Sequence, residues 1–443
     1  MAKPKKPSKS KSKKKSTEAL YSIPTLLIHG HSRDKHWDYR HHVVPPLSSS
    51  TAYRLDSAAR GARGFAEFGG ASDGEDGRAP IYIYDRLGEP TRDMLEEALA
   101  TAERGEISVT FASGMAAVSA ALGVCTSSGD HIISHRVIYG STYSLLTQWM
   151  PKYKIGVSMV DINAPGALEQ AFQPGTRVVY FESPSNPNLE LIDMGLVRRA
   201  VGLENAKRKP AERIHVLVDN TFASPFCQRP IEHGADLVIH SLTKNICGFG
   251  TDMGGVVVGA RSYLPALLSY RKDFGGVLSP KAAWPILVYG LSTLSLRVKR
   301  QEQTALAVAE FLSRHARVRE VKYPGLLSFP QYGLARKQMT DYAGNFAPGS
   351  LVYFVLNGPH AKARAMAEKL IDRIASTSYT ITLAVSLGQV RTLIEHPSSM
   401  THSAVPLDKQ VGEGIDPGGV RLSIGLEDAG DLIRDLDRAL KTL

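Results

Sequence analysis

Residues 214–255 read IHVLVDNTFASPFCQRPIEHGADLVIHSLTKNICGFGTDMGG, and this stretch decides the fold. Two short apolar runs, 214–218 and 237–239, have the length and β-branched content of buried strands. The first ends in Asp219, and the second leads into His240-Ser241-Leu242-Thr243-Lys244. In an open α/β sheet ligands sit beyond the carboxyl ends of the strands, so Asp219 and Lys244 are expected to face one crevice. A lysine just after the hydroxyls of Ser241 and Thr243 suits an amine that condenses with an aldehyde beside a phosphate. An aspartate on the neighbouring strand suits a protonated ring nitrogen. Either residue alone is more often a solvated lysine or a turn-capping aspartate. The pair, with Gly248, Gly250, Gly254 and Gly255 behind it, is the stronger sign. Those glycines do not have the GxGxxG spacing of a dinucleotide loop.

Working outward, strands are expected at 107–111, 132–134 and 178–181, alternating with helical stretches. That pattern from 107 to 258 predicts a mostly parallel sheet with helices on both faces. After the first of these strands, Ala112-Ser113-Gly114-Met115 opens an Ala-rich helix, whose N-terminal N–H groups suit an anion. Tyr139-Gly140-Ser141-Thr142-Tyr143 follows the second, and Glu182-Ser183-Pro184-Ser185-Asn186-Pro187 the third. Upstream, 81–91 reads IYIYDRLGEPT, where Tyr84 and Arg86 alternate as on an extended chain and suit a phosphate. A helix is expected to start at Thr91 as N-cap. Downstream, 284–311 is expected to be a long helix or helix pair linking to a smaller α+β domain. That domain has strands at 351–356 and 378–385 and helices at 361–375 and 429–440. It carries Ser386-Leu387-Gly388, Thr392-Leu393, His396-Pro397 and Met400-Thr401-His402, then Arg421-Leu422-Ser423 up to Glu427. A buried Arg421 needs an anion: a bidentate carboxylate, or Glu427 as an internal partner.

From about residue 82 to the C-terminus these motifs resemble the Cys/Met-metabolism (trans-sulfuration) family of pyridoxal-phosphate (PLP) enzymes. The resemblance implies the type I PLP-transferase fold: an α/β large domain with a mostly parallel sheet, and a smaller α+β C-terminal domain. It implies PLP on Lys244, with Asp219 at the ring nitrogen and Tyr139 stacking on the ring. Ser113, Gly114, Met115, Ser241 and Thr243 would hold the phosphate, and Asn186 the phenolic oxygen. Tyr84 and Arg86 would reach the phosphate across a dimer interface, despite Asp85 and Glu89 where the family has Ser and Asn; strand alternation is expected to turn Asp85 away. Arg421, assisted near Ser386, would take the substrate carboxylate. Lys244, Tyr139 and Asp219 are the expected catalytic set. Methionine γ-lyases of the family typically carry Cys where this chain has Ser141, whereas Lys272-Asp273 matches a pair found in them. On balance the expected reaction is γ-replacement on an activated homoserine, with γ-elimination as the alternative.

At 443 residues the chain suits two or three domains, and 43% hydrophobic residues suffice for a sizeable core. The expected divisions are a Lys-rich tail (1–19), an arm (20–80), a PLP-binding domain (81–300) and a small domain (301–443). Eight of the net +10 charges are lysines of residues 1–15, which leaves only +2 elsewhere. The tail is expected to be a disordered extension rather than a nucleic-acid contact. The arm, with a loop expected at 57–77, cannot close a core alone and is expected to lie on the body or on a neighbouring subunit. Cys125, Cys227 and Cys247 lack the spacing of a zinc site or a disulfide framework, and no metal is expected; the i,i+4 pair His131 and His135 falls on a strand. With no stretch of membrane-spanning length, a cytoplasmic homo-oligomer, at least a dimer and by resemblance a tetramer, is expected. Two other classes make distinct predictions. A nucleic-acid protein using the tail would lose affinity with salt, and a catalytically dead scaffold would be colourless.

Overall fold

The computed structural model describes residues 21–29, 42–68, 80–403, 410–412 and 414–443. The Lys-rich tail lies outside the described residues. The larger sheet is built from β1 (Ile107–Phe111), β2 (His131–His135), β3 (Gly156–Val160), β4 (Thr176–Glu182), β5 (His215–Asp219), β6 (Leu237–Ser241) and β7 (Gly255–Gly259). Their spatial order is β1-β7-β6-β5-β4-β2-β3. Every pair from β6 to β3 is parallel, and β7 runs antiparallel to both β1 and β6. The central strands are buried along nearly their whole length, as expected of a sheet covered on both faces.

The second sheet is mixed: β8 (Val318–Lys322), β9 (Leu351–Leu356), β10 (Ile381–Leu383), β11 (Thr392–Glu395) and β12 (Gly419–Ser423), in the order β10-β11-β12-β9-β8. Helices His360–Thr377 and Ala429–Leu440 cover it, and Leu370, Ile374, Leu432 and Leu436 pack with Phe354 and Leu422. The architecture is therefore an α/β large domain with a mostly parallel sheet and a smaller C-terminal domain, as the resemblance implies.

Several local expectations change. The helix expected to start at Thr91 spans Pro90–Glu103, with Glu89 as its N-cap. The Glu89 carboxylate accepts from Thr91 N–H (3.0 Å) and Arg92 N–H (2.8 Å), and Pro90 needs no N–H partner at the first helical position. Residues 81–87 form no strand but turns with a single bridge, Tyr84 to Ala52. The stretch expected to be a loop from residue 57 instead forms helix Ala58–Glu67, capped by Ser57. Its glycines let it lie on its neighbours: a Cβ on Gly64 would sit 2.9 Å from Ile81 and Ile83. The arm's first helix, Ile23–His29, lies on the body, with Leu27 buried among Met94, Leu95 and Leu294.

The long helix or helix pair expected at 284–311 starts earlier and is divided into Pro280–Pro285, a π-helical turn Ile286–Leu291 and Ser292–Ser313, with Pro285 at the first junction. The last piece runs unbroken through residue 300, the expected boundary. The strand expected at 378–385 shrinks to Ile381–Leu383. The Asp435 carboxylate holds the preceding turn by accepting from Ser378 Oγ and from Tyr379 and Thr380 N–H. Among the described residues, no helix is long and apolar enough to cross a membrane.

Candidate active site

The sheet brings the chemistry-bearing residues to one edge. β4, β5 and β6 end in Glu182, Asp219 and Ser241, and Glu182 and Asp219 are direct cross-strand neighbours. Antiparallel β7 begins at the same edge, with Gly255 paired to both Phe111 and Ser241. Two glycines let the turn after β1 close on this edge. A Cβ on Gly114 would lie 2.9 Å from Ser241 Cβ, and one on Gly255 would collide with the Ser113 carbonyl. Ser113 caps helix Gly114–Cys125 by accepting from Ala116 N–H at 3.2 Å. The Ser-Gly-Met turn and the Ser-x-Thr-Lys segment thus meet.

Thr221, which the sequence reading missed, ties the two strand ends together. Its N–H donates to Asp219 Oδ1 (3.0 Å), and its hydroxyl accepts from Ser241 N–H (2.9 Å). Its only sequence signal was its place two residues beyond Asp219. Thr243 is engaged with Gly254: its hydroxyl accepts from Gly254 N–H at 3.1 Å. Burial pushes the Asp219 carboxyl up, and hydrogen bonds from Thr221 work against it. Glu182, also missed, is driven well above the usual carboxylate range by burial and by Asp219. It accepts from Tyr139 N–H at 2.7 Å and so fixes the backbone from which the Tyr139 ring projects, 38% exposed, at the site.

The small domain closes the other side. Lys244 Nζ donates to Ser386 Oγ (2.8 Å). Arg421 Nη2 donates to the Ser386 carbonyl and Nη1 to Asn186 Oδ1, both at 2.9 Å. Ser386 holds φ at +95°, a left-handed conformation that non-glycine residues rarely adopt, and such strain clusters at functional sites. His402 Nε2 lies 3.1 Å from the Asn186 carbonyl, and burial lowers its pKa to about 4, so the ring is neutral and donates this bond. Lys244 is drawn down to about 8, first by burial and then by Arg421, with Glu395 opposing.

Arg421 does not pair with Glu427, the internal partner considered from sequence. Its ion pair is with Glu395, at 3.0 Å, whereas Glu427 accepts from Thr392 N–H and hydroxyl. The β11–β12 register sets Glu395 directly opposite Arg421.

Tyr84 and Arg86 are not brought to this crevice within the chain. Tyr84 is 45% exposed, the Arg86 guanidinium lies 5.6 Å over its ring, and Arg86 donates to the Lys272 carbonyl at 2.6 Å. No described contact joins either residue to Lys244 or Ser113. Asp85 turns aside into an ion pair with fully buried Arg92 (2.8 Å), in a turn rather than through strand alternation. His131 and His135 lie on β2. The ring nitrogens of His131 bond to the hydroxyls of Thr176 and Ser158.

These groups fit PLP. The Asn186 Oδ1 is occupied by Arg421, which leaves the amide hydrogens for an anionic phenolic oxygen. The amine of Lys244 is shifted toward its neutral, nucleophilic form. Asp219 is a buried carboxyl without a cation beside it among its described hydrogen-bond partners, as a pyridinium nitrogen requires.

Residues 24–441 match the family model described as Cys/Met metabolism PLP-dependent enzyme. The chain is 38% identical to the L-methionine gamma-lyase of Porphyromonas gingivalis, over 90% of this chain and 93% of that protein. It is 35% identical to the O-succinylhomoserine sulfhydrylase of Mycobacterium tuberculosis, over 82% and 85%. Among solved structures it is similar to cystathionine gamma synthase from Xanthomonas oryzae pv. oryzae in complex with aminoacrylate and cysteine. The TM-score is 0.80 at 32% identity, covering 95% of this chain and 98% of that one. This chain belongs to the Cys/Met-metabolism family of PLP-dependent enzymes, whose general chemistry is γ-replacement and γ-elimination on sulfur amino-acid precursors.

Proposed function

We propose that this enzyme performs γ-replacement on an activated homoserine. An O-acyl-homoserine loses its carboxylate leaving group from Cγ, and sulfide or cysteine takes its place, giving homocysteine or cystathionine. Bound PLP supplies the electron sink that acidifies the substrate's α- and β-hydrogens.

The chain's residues divide the remaining work. Lys244 Nζ, with its pKa near 8, is partly neutral at physiological pH and takes the α-proton, then handles the proton at Cβ. Ser386 Oγ holds that amine on the small-domain side. Asp219 keeps the ring nitrogen protonated, and Thr221 orients it. The Tyr139 hydroxyl protonates the departing group at Cγ, its backbone anchored by Glu182. Arg421 binds the α-carboxylate beside the Ser386 carbonyl. Ser113, Gly114, Met115, Ser241 and Thr243 hold the phosphate, completed by Tyr84 and Arg86 of a second copy. This arrangement makes the active unit a dimer, and a homotetramer follows as a pair of dimers.

Ser141 carries the choice of replacement. It stands exposed at the position where methionine γ-lyases typically have Cys, and a serine hydroxyl does not ionise near neutral pH as a thiol can. All three cysteines of the chain are buried. The deciding assay gives purified enzyme O-acetylhomoserine or O-succinylhomoserine with sulfide or cysteine, and separately methionine alone. Thioether or thiol product from the first, with no 2-oxobutanoate from the second, is expected. Oxoacid from methionine without replacement product would overturn the proposal.

The second reading is γ-elimination, giving 2-oxobutanoate, ammonia and a thiol. It is favoured by the Lys272–Asp273 pair (3.3 Å) and by the likeness to methionine γ-lyases.

A further inference from the structure

Arg421 and Glu395 face each other across β12 and β11 and form a buried ion pair, with side chains 3% and 1% exposed. Glu395 Oε1 also accepts from the Thr401 hydroxyl at 2.9 Å. Its second oxygen, Oε2, is buried and has no hydrogen-bond partner. The other described acceptors of Arg421, Asn186 Oδ1 and the Ser386 carbonyl, are neutral. The guanidinium assigned above to the substrate carboxylate therefore already has a counter-ion, and that counter-ion is only half satisfied. A carboxylate arriving at Arg421 meets a second carboxylate on the same cation, in a setting too buried for water to screen the repulsion.

We infer that Glu395 sets this enzyme's affinity and selectivity for the substrate carboxylate. It holds Arg421 in place while the site is empty and competes with the incoming α-carboxylate for it. The inference rests on Arg421 being the carboxylate site. Glu395 is a positioning residue acting through Arg421. Its effect is to flatten the preference for an amino acid over the corresponding amine, because part of the attraction of Arg421 is already spent. An unopposed buried arginine would give a charged hydrogen-bond partner about ten- to a hundredfold preference.

The test uses the full-length holoenzyme and equilibrium binding of L-alanine and of ethylamine, followed by the absorption of the bound cofactor rather than by turnover. Both ligands exchange with the same lysine, so any effect of Glu395 on Lys244 cancels in the ratio of their Kd values. Wild-type enzyme is expected to favour alanine by less than about tenfold, the lower bound for an unopposed charged partner. Glu395→Gln keeps the size of the side chain and an acceptor for Thr401, and it is expected to raise the preference about tenfold. Glu395→Asp keeps the charge and is expected to stay near the wild-type ratio. Arg421→Gln is expected to abolish the preference.

If Arg421→Gln leaves alanine binding unchanged, the carboxylate reading of Arg421 falls, and this inference with it. If Arg421→Gln loses the preference while Glu395→Gln leaves it at the wild-type value, only the inference falls. A gain in Glu395→Asp equal to that in Glu395→Gln also overturns it, because lost fit rather than lost charge would then be responsible. Should the glutamine variant not fold, the wild-type ratio decides: a preference for alanine above about tenfold, the range of an unopposed arginine, overturns the inference.

Discussion

The pKa of Lys244 can be tested before any substrate is added. Burial lowers it from 10.5 to about 8, Arg421 lowers it further within that shift, and Glu395 opposes. At pH 7.5 an ordinary lysine is neutral in roughly one molecule per thousand, whereas a lysine at about 8 is neutral in roughly a quarter, a gain of about two hundredfold in reactive amine. PLP-free enzyme should therefore recover the yellow absorption of bound cofactor at a rate that climbs with pH to half its maximum near 8. The neighbours should move that midpoint in opposite directions: Arg421→Gln upward, because a positive charge is lost, and Glu395→Gln downward, because a negative one is. Stability of the PLP-free protein is linked to the same shift. The folded state releases this proton before the unfolded chain does, so the burden of roughly 3 kcal/mol is full below pH 8 and is relieved as pH rises to 10.5. A loading midpoint at or above pH 10, or a shift of both variants in the same direction, would refute this account of the amine.

Thr221→Val removes the hydroxyl that accepts from Ser241 N–H. It should weaken PLP retention about tenfold, for about 1.4 kcal/mol, measured by dialysis and residual absorbance, with little change in helical content. Gly114→Ala places a methyl group 2.9 Å from Ser241 Cβ, so the turn and Ser241 must move apart. PLP affinity should fall by at least tenfold, and inorganic phosphate should protect the variant from heat less than it protects the wild type. Arg86→Ala and Lys244→Ala should each be inactive alone. Mixed and reassembled in equal amounts, they should recover about a quarter of wild-type activity, because half the dimers then hold one intact site. No recovery would place Arg86 outside the partner's site.

Much of this site was legible because its parts sit in short contiguous runs with a fixed relation to strand ends. Asp219 and Ser241 close apolar runs, and Lys244 lies one short turn later. Once those runs are recognised as neighbouring parallel strands, the crevice follows. The same logic placed Ser113 after β1 and Asn186 after β4. The local misreadings came from competing short-range chemistry. Glu89 outranked Thr91 as a cap because Pro90 takes the first helical position, and Asp435 consumed the donors of residues 378–380 before they could join a sheet. Helix Ala58–Glu67 was hidden by its glycines, which look like a loop in sequence but serve close packing on Ile81 and Ile83.

What the sequence could not supply is register, and the charges of this site are a matter of register. In sequence the acidic candidate for Arg421 was Glu427, in its own segment. The antiparallel pairing of β11 with β12 puts Glu395 opposite it, whereas Glu427 lies past the end of β12 and turns back to Thr392. In the same way, parallel pairing of β4 with β5 makes Glu182 the neighbour of Asp219, though 37 positions separate them in the chain. Each pair joins a residue with an expected role to one without. Each second member also has work of its own at the site: Glu395 opposes the downward shift of Lys244 and occupies Arg421, and Glu182 accepts from the Tyr139 N–H. On the proposed function, a motif therefore names the groups assigned to cofactor and substrate. The acids paired across the strands from them are placed by register alone.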